Sequence, residues 1–397
     1  MHAGLATALR TVSAAALVVG ASGAMVRTIS AAFDPFQAYP GHTSDYGVAR
    51  TRALRAALPE IVERPGKAVL VVGSSGLARA FVPSVFDAAL DDGHVSFNLA
   101  QLLLQPETAL AMAKVIRRAY EAKKKRVAIT LFGVSVPELI HDSLQAARRR
   151  MPDQAFAFGG TSLLEKGPRA DPLAPLSDEL QLFIFGNVRP DRVGLWLEDW
   201  IEDGPSPCES GLKQPPEGAE ALAALGTFCT ELRRQFPRGV PPWNPATRGA
   251  IDFGLPTTRP TLTRLIELQP VPIDPPLAAA PNPAQKAPDN IDEEAVRMWI
   301  AAVRELAAVS DRTFVLRDIM NPATLGPVPP AQRAQWRAVA ERIARAADAP
   351  LLDMNDGTFA PSDFGDRTHL HPLAAERFSA QLAARVRPLL QEDRVPR

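Results

Sequence analysis

Wholly apolar runs and runs with a three-to-four-residue repeat alternate along most of this chain. Residues 69–72 (Val-Leu-Val-Val) contain no polar side chain and stop at Gly73, the pattern of a strand buried on both faces of a sheet. A helix is predicted before it over 49–62, where Leu54, Ala57, Leu58 and Ile61 share one face. After it, 81–92 reads as a loop and short helix and 95–99 as a second strand. A helix over 106–122, with Leu110, Ala113 and Ile116 on one side, then leads to a third strand over 127–132. The alternation returns later, with a helix capped by Asp289 or Asn290 that carries Val296, Ile300, Val303 and Leu306. A strand over 313–316, a helix over 332–346, a short strand over 350–353 and a last helix over 373–390 complete it. Strand-helix repetition of this kind predicts an α/β fold built on a doubly wound, mostly parallel sheet. Ligands of such sheets bind at the carboxyl ends of the strands, where Ser75, the Asn98 region and Gly133-Val134-Ser135 would converge.

Composition changes this picture mainly in the middle. The chain has 38 Pro, many of them between 151 and 289, and a Pro/Ala tract over 270–288 favours extended polyproline conformation rather than a packed element. Only a weak helix over 218–236 is expected there. The chain therefore divides into an N-terminal segment (1–33), a first part of the α/β domain (34–150), an insertion with a Pro-rich linker (151–289) and a second part of the domain (290–397). Lys plus Arg and Asp plus Glu balance at 44 each, so no global field points to nucleic acid. The local basic clusters at 123–126 and 148–150 fall at helix ends, where cations complement the dipole.

The N-terminal segment holds an uncharged stretch between Arg10 and Arg27 that is shorter than the roughly 20 residues a spanning helix needs. It reads as a signal peptide or a short signal anchor, the small residues Ala21-Ser22-Gly23-Ala24 suiting cleavage. A buried Ala-rich helix is the other reading. Either export reading predicts a periplasmic or extracytoplasmic protein, anchored to the cytoplasmic membrane if the segment is retained. In that setting Cys208 and Cys229 could pair, closing a loop of about 20 residues worth roughly 3 kcal/mol.

Chemistry concentrates at two places. Gly73-Ser74-Ser75-Gly76 lies between a buried strand and a run of helix formers, so Ser75 would sit in a strand-to-helix turn with free backbone N–H groups. Such a turn can expose a nucleophile, cradle a phosphate or simply be tight. Near the other end, Asp366 and His369 stand three apart in the loop before the last helix. There the carboxylate can fix the imidazole tautomer and leave the other nitrogen free to take a hydroxyl proton. Asp366, His369 and His371 could instead bind a metal, or form a polar loop that caps the helix.

A strand-Gly-x-Ser-helix block early and an Asp-x-x-His block late resemble the SGNH (GDSL-like) hydrolase superfamily. Asp34-Pro35-Phe36, Gly73-Ser74-Ser75 and Phe97-Asn98-Leu99 further resemble its membrane-anchored extracytoplasmic branch, which includes proteins of alginate O-acetylation and teichoic acid D-alanylation. The resemblance covers about 34–142 and 290–392. It implies a flavodoxin-like three-layer α/β/α fold with Ser75 as nucleophile, His369 as base and then acid, and Asp366 as its orienting partner. Oxyanion and substrate contacts would fall to Ser74, Gly76, Asn98, Leu103 and Ser135, with neither cofactor nor metal. The chain departs from the family where Gln101-Leu102-Leu103-Leu104 replaces a Gly-containing stretch and Gly133-Val134-Ser135 replaces the third-block Asn. Loss of one oxyanion donor typically costs about 10² to 10³ in turnover. The implied function is a serine esterase or O-acyltransferase on acyl groups of an envelope polysaccharide or glycoconjugate, with a membrane-bound acyl donor protein as partner. The alternative is a non-catalytic envelope scaffold or polysaccharide-binding protein that keeps the fold.

Overall fold

A computed structural model describes residues 43–141, 143–144, scattered positions between 219 and 250, 291–325, 328–364 and 368–391. Within these, α1 (Thr43–Glu63) leads to β1 (Lys67–Val72), α2 (Ser75–Ala80), α3 (Pro83–Leu90), β2 (His94–Asn98), α4 (Pro106–Ala122) and β3 (Val127–Val134). A short 3₁₀ turn follows (Val136–Leu139). The second part comprises α5 (Glu293–Ala307), β4 (Ser310–Arg317), α6 (Pro322–Leu325), α7 (Pro330–Ala346), β5 (Leu351–Asp353), a 3₁₀ turn (Pro361–Asp363) and α8 (Pro372–Gln391).

The five strands form one all-parallel sheet in the order β2-β1-β3-β4-β5. Successive side chains of a strand point to opposite faces, and here both faces are buried. Leu70, Val72, Phe132, Val134 and Val315 face one apolar layer with Leu58 of α1, Ile116 of α4, Trp299 of α5 and Ile343 of α7. Val69, Val71, Ile129, Leu131, Phe314 and Leu316 face the other, with Leu77 of α2, Phe86 of α3 and Phe378 of α8. The expected mixed α/β fold with a parallel sheet and helices on both sides is therefore present. From β1 the chain winds outward to β2 and then crosses back to β3, so the winding reverses between β1 and β3, the place where open α/β sheets bind ligands.

Ile140, beyond the 3₁₀ turn, pairs in an antiparallel bridge with Ile291, and Asp292 N donates to Leu139 O at 2.9 Å. The two parts of the domain therefore meet there. Asp292, rather than Asp289 or Asn290, caps α5, its Oδ1 accepting from Ala295 N at 2.9 Å. The reason is that Ile291 is held in the bridge, which fixes extended backbone up to the cap.

Part of the stretch read as an insertion returns to the sheet. Arg248 O accepts from Asn98 N at 2.9 Å, and the Arg248 side chain pairs with Asp87. Arg50 of α1 is buried and donates to the carbonyls of Ala100 (2.8 Å), Asn98 (3.0 Å) and Gly249 (2.7 Å), with Trp243 stacked on its guanidinium. The close approach demands glycine at 249, where φ is +84° and a Cβ would meet the Trp243 ring at 2.0 Å. Among the described residues no helix is long and apolar enough to cross a membrane. The N-terminal segment and both cysteines, Cys208 and Cys229, lie outside the described residues.

Candidate active site

Two residues, Gly73 and Ser74, carry the chain from β1 into α2, and packing dictates how tightly they turn. A Cβ at Gly73 would come 2.6 Å from Leu77 Cδ1. Ser74 is buried and is the N-cap of α2 in extended backbone, its carbonyl accepting from Ala78 N at 2.9 Å. Its hydroxyl does not cap the helix as the residue type would suggest. Instead Oγ donates to Asp318 Oδ2 at 2.8 Å, a residue that directly follows β4. Ser75 opens α2, half-buried, and its Oγ makes no hydrogen bond among the described residues. Gly76 passes over the same carboxylate, its Cβ position lying 3.4 Å from Asp318 Oδ2.

Asp318 and Glu138 were not anticipated from the sequence. Asp318 is 5% exposed, and its Oδ1 has no hydrogen-bond partner among the described residues. Glu138, in the 3₁₀ turn after β3, retains some exposed surface, yet its Oε2 is enclosed and likewise without a partner there. Burial, and after it the neighbouring Asp318 charge, holds the Glu138 carboxyl well above the ordinary range, the Ser74 hydroxyl opposing. Burial also pushes Asp318 up to about 6 against its Ser74 hydrogen bond. The ends of β1 and β4 thus meet in the Ser74–Asp318 hydrogen bond, and Glu138 follows β3, the strand that lies between them. The only sequence signal was position: each lies within a few residues of the carboxyl end of a strand.

Asn98, at the end of β2, has a different role from the one the resemblance implies. It is fully buried, and Nδ2 reaches the carbonyls of Ala78 (2.9 Å), Phe81 (2.9 Å) and Leu77 (3.4 Å), while Oδ1 accepts from Ala100 N at 3.2 Å. Its amide therefore binds the last turn of α2 to β2 and has no donor left for a ligand. Leu103 is half-buried with φ +47°, an unusual backbone for a branched side chain. Its loop is tied down beside it, where Gln101 N donates to Gly73 O at 2.9 Å and Thr51 Oγ1 to Gln101 Oε1 at 3.0 Å. Ser135 is half-buried at the end of β3, its carbonyl accepting from Glu138 N at 3.1 Å.

The second half of the expected site lies in the loop that enters α8. Asp366 is outside the described residues. His369 is half-buried, with Nδ1 3.1 Å from Thr368 Oγ1. An antiparallel bridge between Phe364 and Leu370 shapes the loop around it. His371 is the cap of α8: Nδ1 accepts from Ala374 N at 3.2 Å and its carbonyl accepts from Ala375 N at 2.9 Å. Burial lowers its pKa, against the Asp363 charge and with the Arg377 charge, which keeps the ring in the neutral form an acceptor requires. Among the described residues no three His, Cys, Asp or Glu side chains are grouped so as to hold a metal ion.

Helices α2 and α8 both follow strands of one parallel sheet and so both begin at its carboxyl edge. They are joined where Ser379 Oγ accepts from Val82 N at 2.8 Å and lies 3.2 Å from Ala80 O. Ser75 and the His369 loop thus stand at the starts of two helices packed on the same face. No hydrogen bond joins Ser75 to His369 among the described residues. A hydroxyl without a hydrogen-bond partner among the described residues, at the start of a helix packed on the one that the His369 loop enters, is material for nucleophilic chemistry. No protein-family model and no curated protein matches this chain, so the functional reading rests on these residues and their geometry.

Proposed function

We propose that this chain is an SGNH-like serine esterase or O-acyltransferase with a flavodoxin-like three-layer fold. The observation that carries the reading is the position of Ser75. Among the described residues it makes no hydrogen bond; it opens a helix at the carboxyl end of β1 beside the reversal point of the sheet, and shares a face with the helix that the His369 loop enters. In this reading His369 removes the Ser75 proton as Oγ attacks an ester carbonyl. The tetrahedral intermediate collapses, and His369 returns the proton to the departing alkoxide, leaving an acyl-enzyme. Water or a sugar hydroxyl then gives its proton to His369 and attacks the acyl carbon, which restores Ser75. Asp366 orients the imidazole. The turn's backbone N–H groups, including that of Gly76, face the developing oxyanion, and Leu103 and Ser135 border the substrate.

The substrate class is an acylated envelope polysaccharide or glycoconjugate, with a membrane-bound donor protein supplying acyl groups when transfer is the outcome. The N-terminal segment exports the protein and tethers it at the outer surface of the cytoplasmic membrane. The test is fluorophosphonate labelling of the full-length protein with peptide mapping, compared with Ser75→Ala and His369→Ala. Labelling at Ser75 that both variants abolish supports the enzyme. A second reading, a non-catalytic envelope scaffold, is favoured by Asn98, whose donors are all committed to packing. A folded protein that takes no label would select it.

A further inference from the structure

Ser74 has the backbone of a helix cap without the bond of one. Its φ of −85° and ψ of −170° are the extended geometry from which a cap serine accepts the second or third N–H of its helix, here Gly76 N or Leu77 N, yet its side chain makes no such bond. The first N–H groups of a helix have no partner inside it, so the hydroxyl forgoes a bond that one side-chain rotation would make. Asp318 draws it away: Oγ donates to Oδ2 at 2.8 Å, and both residues are buried. The carboxylate is itself fixed. Asp318 N donates to Val134 O at 3.1 Å and Asn355 Nδ2 donates to Asp318 O at 2.9 Å. Its side chain rests against two glycines: a Cβ placed at Gly133 would lie 2.6 Å from Oδ1, and one at Gly76 3.4 Å from Oδ2. Asp318 is therefore the anchored member of the pair, and the Ser74 hydroxyl is the one able to turn.

We propose that Asp318 is a positioning residue that holds the Ser74 hydroxyl off the start of α2, so that the N–H groups of the Ser75 turn stay open to a substrate oxyanion. A Ser74 released from Asp318 would close on Gly76 N or Leu77 N and compete with the oxyanion for the same hydrogen. Ser75, one residue on, would keep its place in the helix, so the loss would fall on reactivity and leave the fold standing. Asp318 touches no substrate in this scheme and acts through Ser74. Because it follows β4, its bond also ties the turn across β3, the strand between β1 and β4. The proposal deepens the esterase reading and rests on it for what the N–H groups receive. The diversion of the cap hydroxyl stands without it.

The experiment compares the full-length wild type with Asp318→Ala, Asp318→Asn, and Asp318→Ala combined with Ser74→Ala. Hydrogen exchange of the peptide containing Gly76, Leu77 and Ala78 reads the cap, and that of β1 reports whether the sheet is intact. Asp318→Ala should slow exchange in the turn by about threefold to tenfold, because the released hydroxyl caps α2, and the double variant should lose that slowing. Asp318→Asn, whose amide oxygen still accepts from Ser74, should exchange as the wild type does. Fluorophosphonate labelling of Ser75 should fall by about tenfold or more in Asp318→Ala and recover in the double variant, where the competing hydroxyl is gone. A residue that only stiffened the fold would not be rescued by a second deletion beside it. If β1 loses protection in Asp318→Ala, Asp318→Leu, which fills nearly the same space without an acceptor, takes its place with the same expectations. Turn exchange that is unchanged or faster with β1 intact, or a double variant that labels no better than the single one, would overturn the proposal. If the wild type takes no label while exchange behaves as expected, the esterase reading fails and the diverted hydroxyl remains.

Discussion

Replacing Asp318 by asparagine tests the buried carboxyl cluster through stability alone, whatever the protein acts on. The folded Asp318 titrates at about 6, against 3.8 for an ordinary aspartate, so the folded chain holds a proton that the unfolded chain has released between those values. Stability therefore falls as pH rises through this window. The favourable contribution is complete below about 3.8 and gone above about 6. At 1.36 kcal/mol per decade the whole effect is about 3 kcal/mol, of which about 2.4 kcal/mol lies between pH 4 and pH 7. In Asp318→Asn the new side chain has nothing to titrate, nearly the same volume, and an amide oxygen that can still accept from Ser74. Its fixed packing offset is the same at every pH, so the quantity to follow is the difference between variant and wild type. Urea unfolding followed by tryptophan fluorescence, with Trp299 and Trp336 buried in the core, should show the variant gaining about 2.4 kcal/mol on the wild type between pH 4 and pH 7. A difference constant to within about 0.5 kcal/mol across that range would refute the assignment of a perturbed acid to this position.

Three further substitutions follow from the same geometry. Asn98→Ala leaves three carbonyls and one N–H without their buried partner, and should cost about 3 kcal/mol in chemical denaturation; a loss below about 1 kcal/mol would show that water replaces the amide. Gly133→Ala drives a Cβ to 2.2 Å from Leu77 Cδ1 and 2.6 Å from Asp318 Oδ1, so a loss of about 2 kcal/mol is expected. The pH dependence assigned to Asp318 should weaken with it as the carboxylate is displaced. Arg50→Met removes the donors that hold Asn98, Ala100 and Gly249, and limited proteolysis should then cut near 243–250 faster than in the wild type, with unchanged cleavage arguing that Arg248 alone holds the segment.

The fold was legible wherever burial imposed a period. The bounds of α4 were read correctly because Pro106 and the Ala-Lys boundary punctuate it, and β1, β2 and β5 were placed within a residue or two from apolar runs. The strands β3 and β4 proved longer than expected for opposite reasons. Gly133 interrupts the apolar pattern of β3 without ending the strand, and Ser310, Asp311 and Arg312 belong to β4 despite their polarity. In the site, a residue's place at a strand end was readable but its partners were not. Ser74 and Asp318 are neighbours only through the strand order, and no spacing reveals that a cap residue will donate to a carboxylate that follows β4. Asn98 shows the same lack: the residue type suggests a ligand donor, and only the path of α2 across β2 shows where its hydrogens go. The return of 243–250 depends on left-handed backbone at Arg248 and Gly249, which the surrounding Pro-rich composition concealed.

The Ser379 contact has a consequence for how the protein is made. The turn with Ser75 is synthesised early, but the hydroxyl that accepts from Val82 N comes 297 residues later, and Asp318 lies 244 residues beyond Ser74. While the ribosome is still translating the middle of the chain, that N–H and that cap serine lack the partners that fix them. A chain stopped before α8 therefore has the nucleophile's sequence without the Ser379 hydroxyl that accepts from Val82 N. The setting of Ser75 thus depends on residues far apart in the chain, and on the esterase reading acyl transfer at this serine requires α8 to be in place.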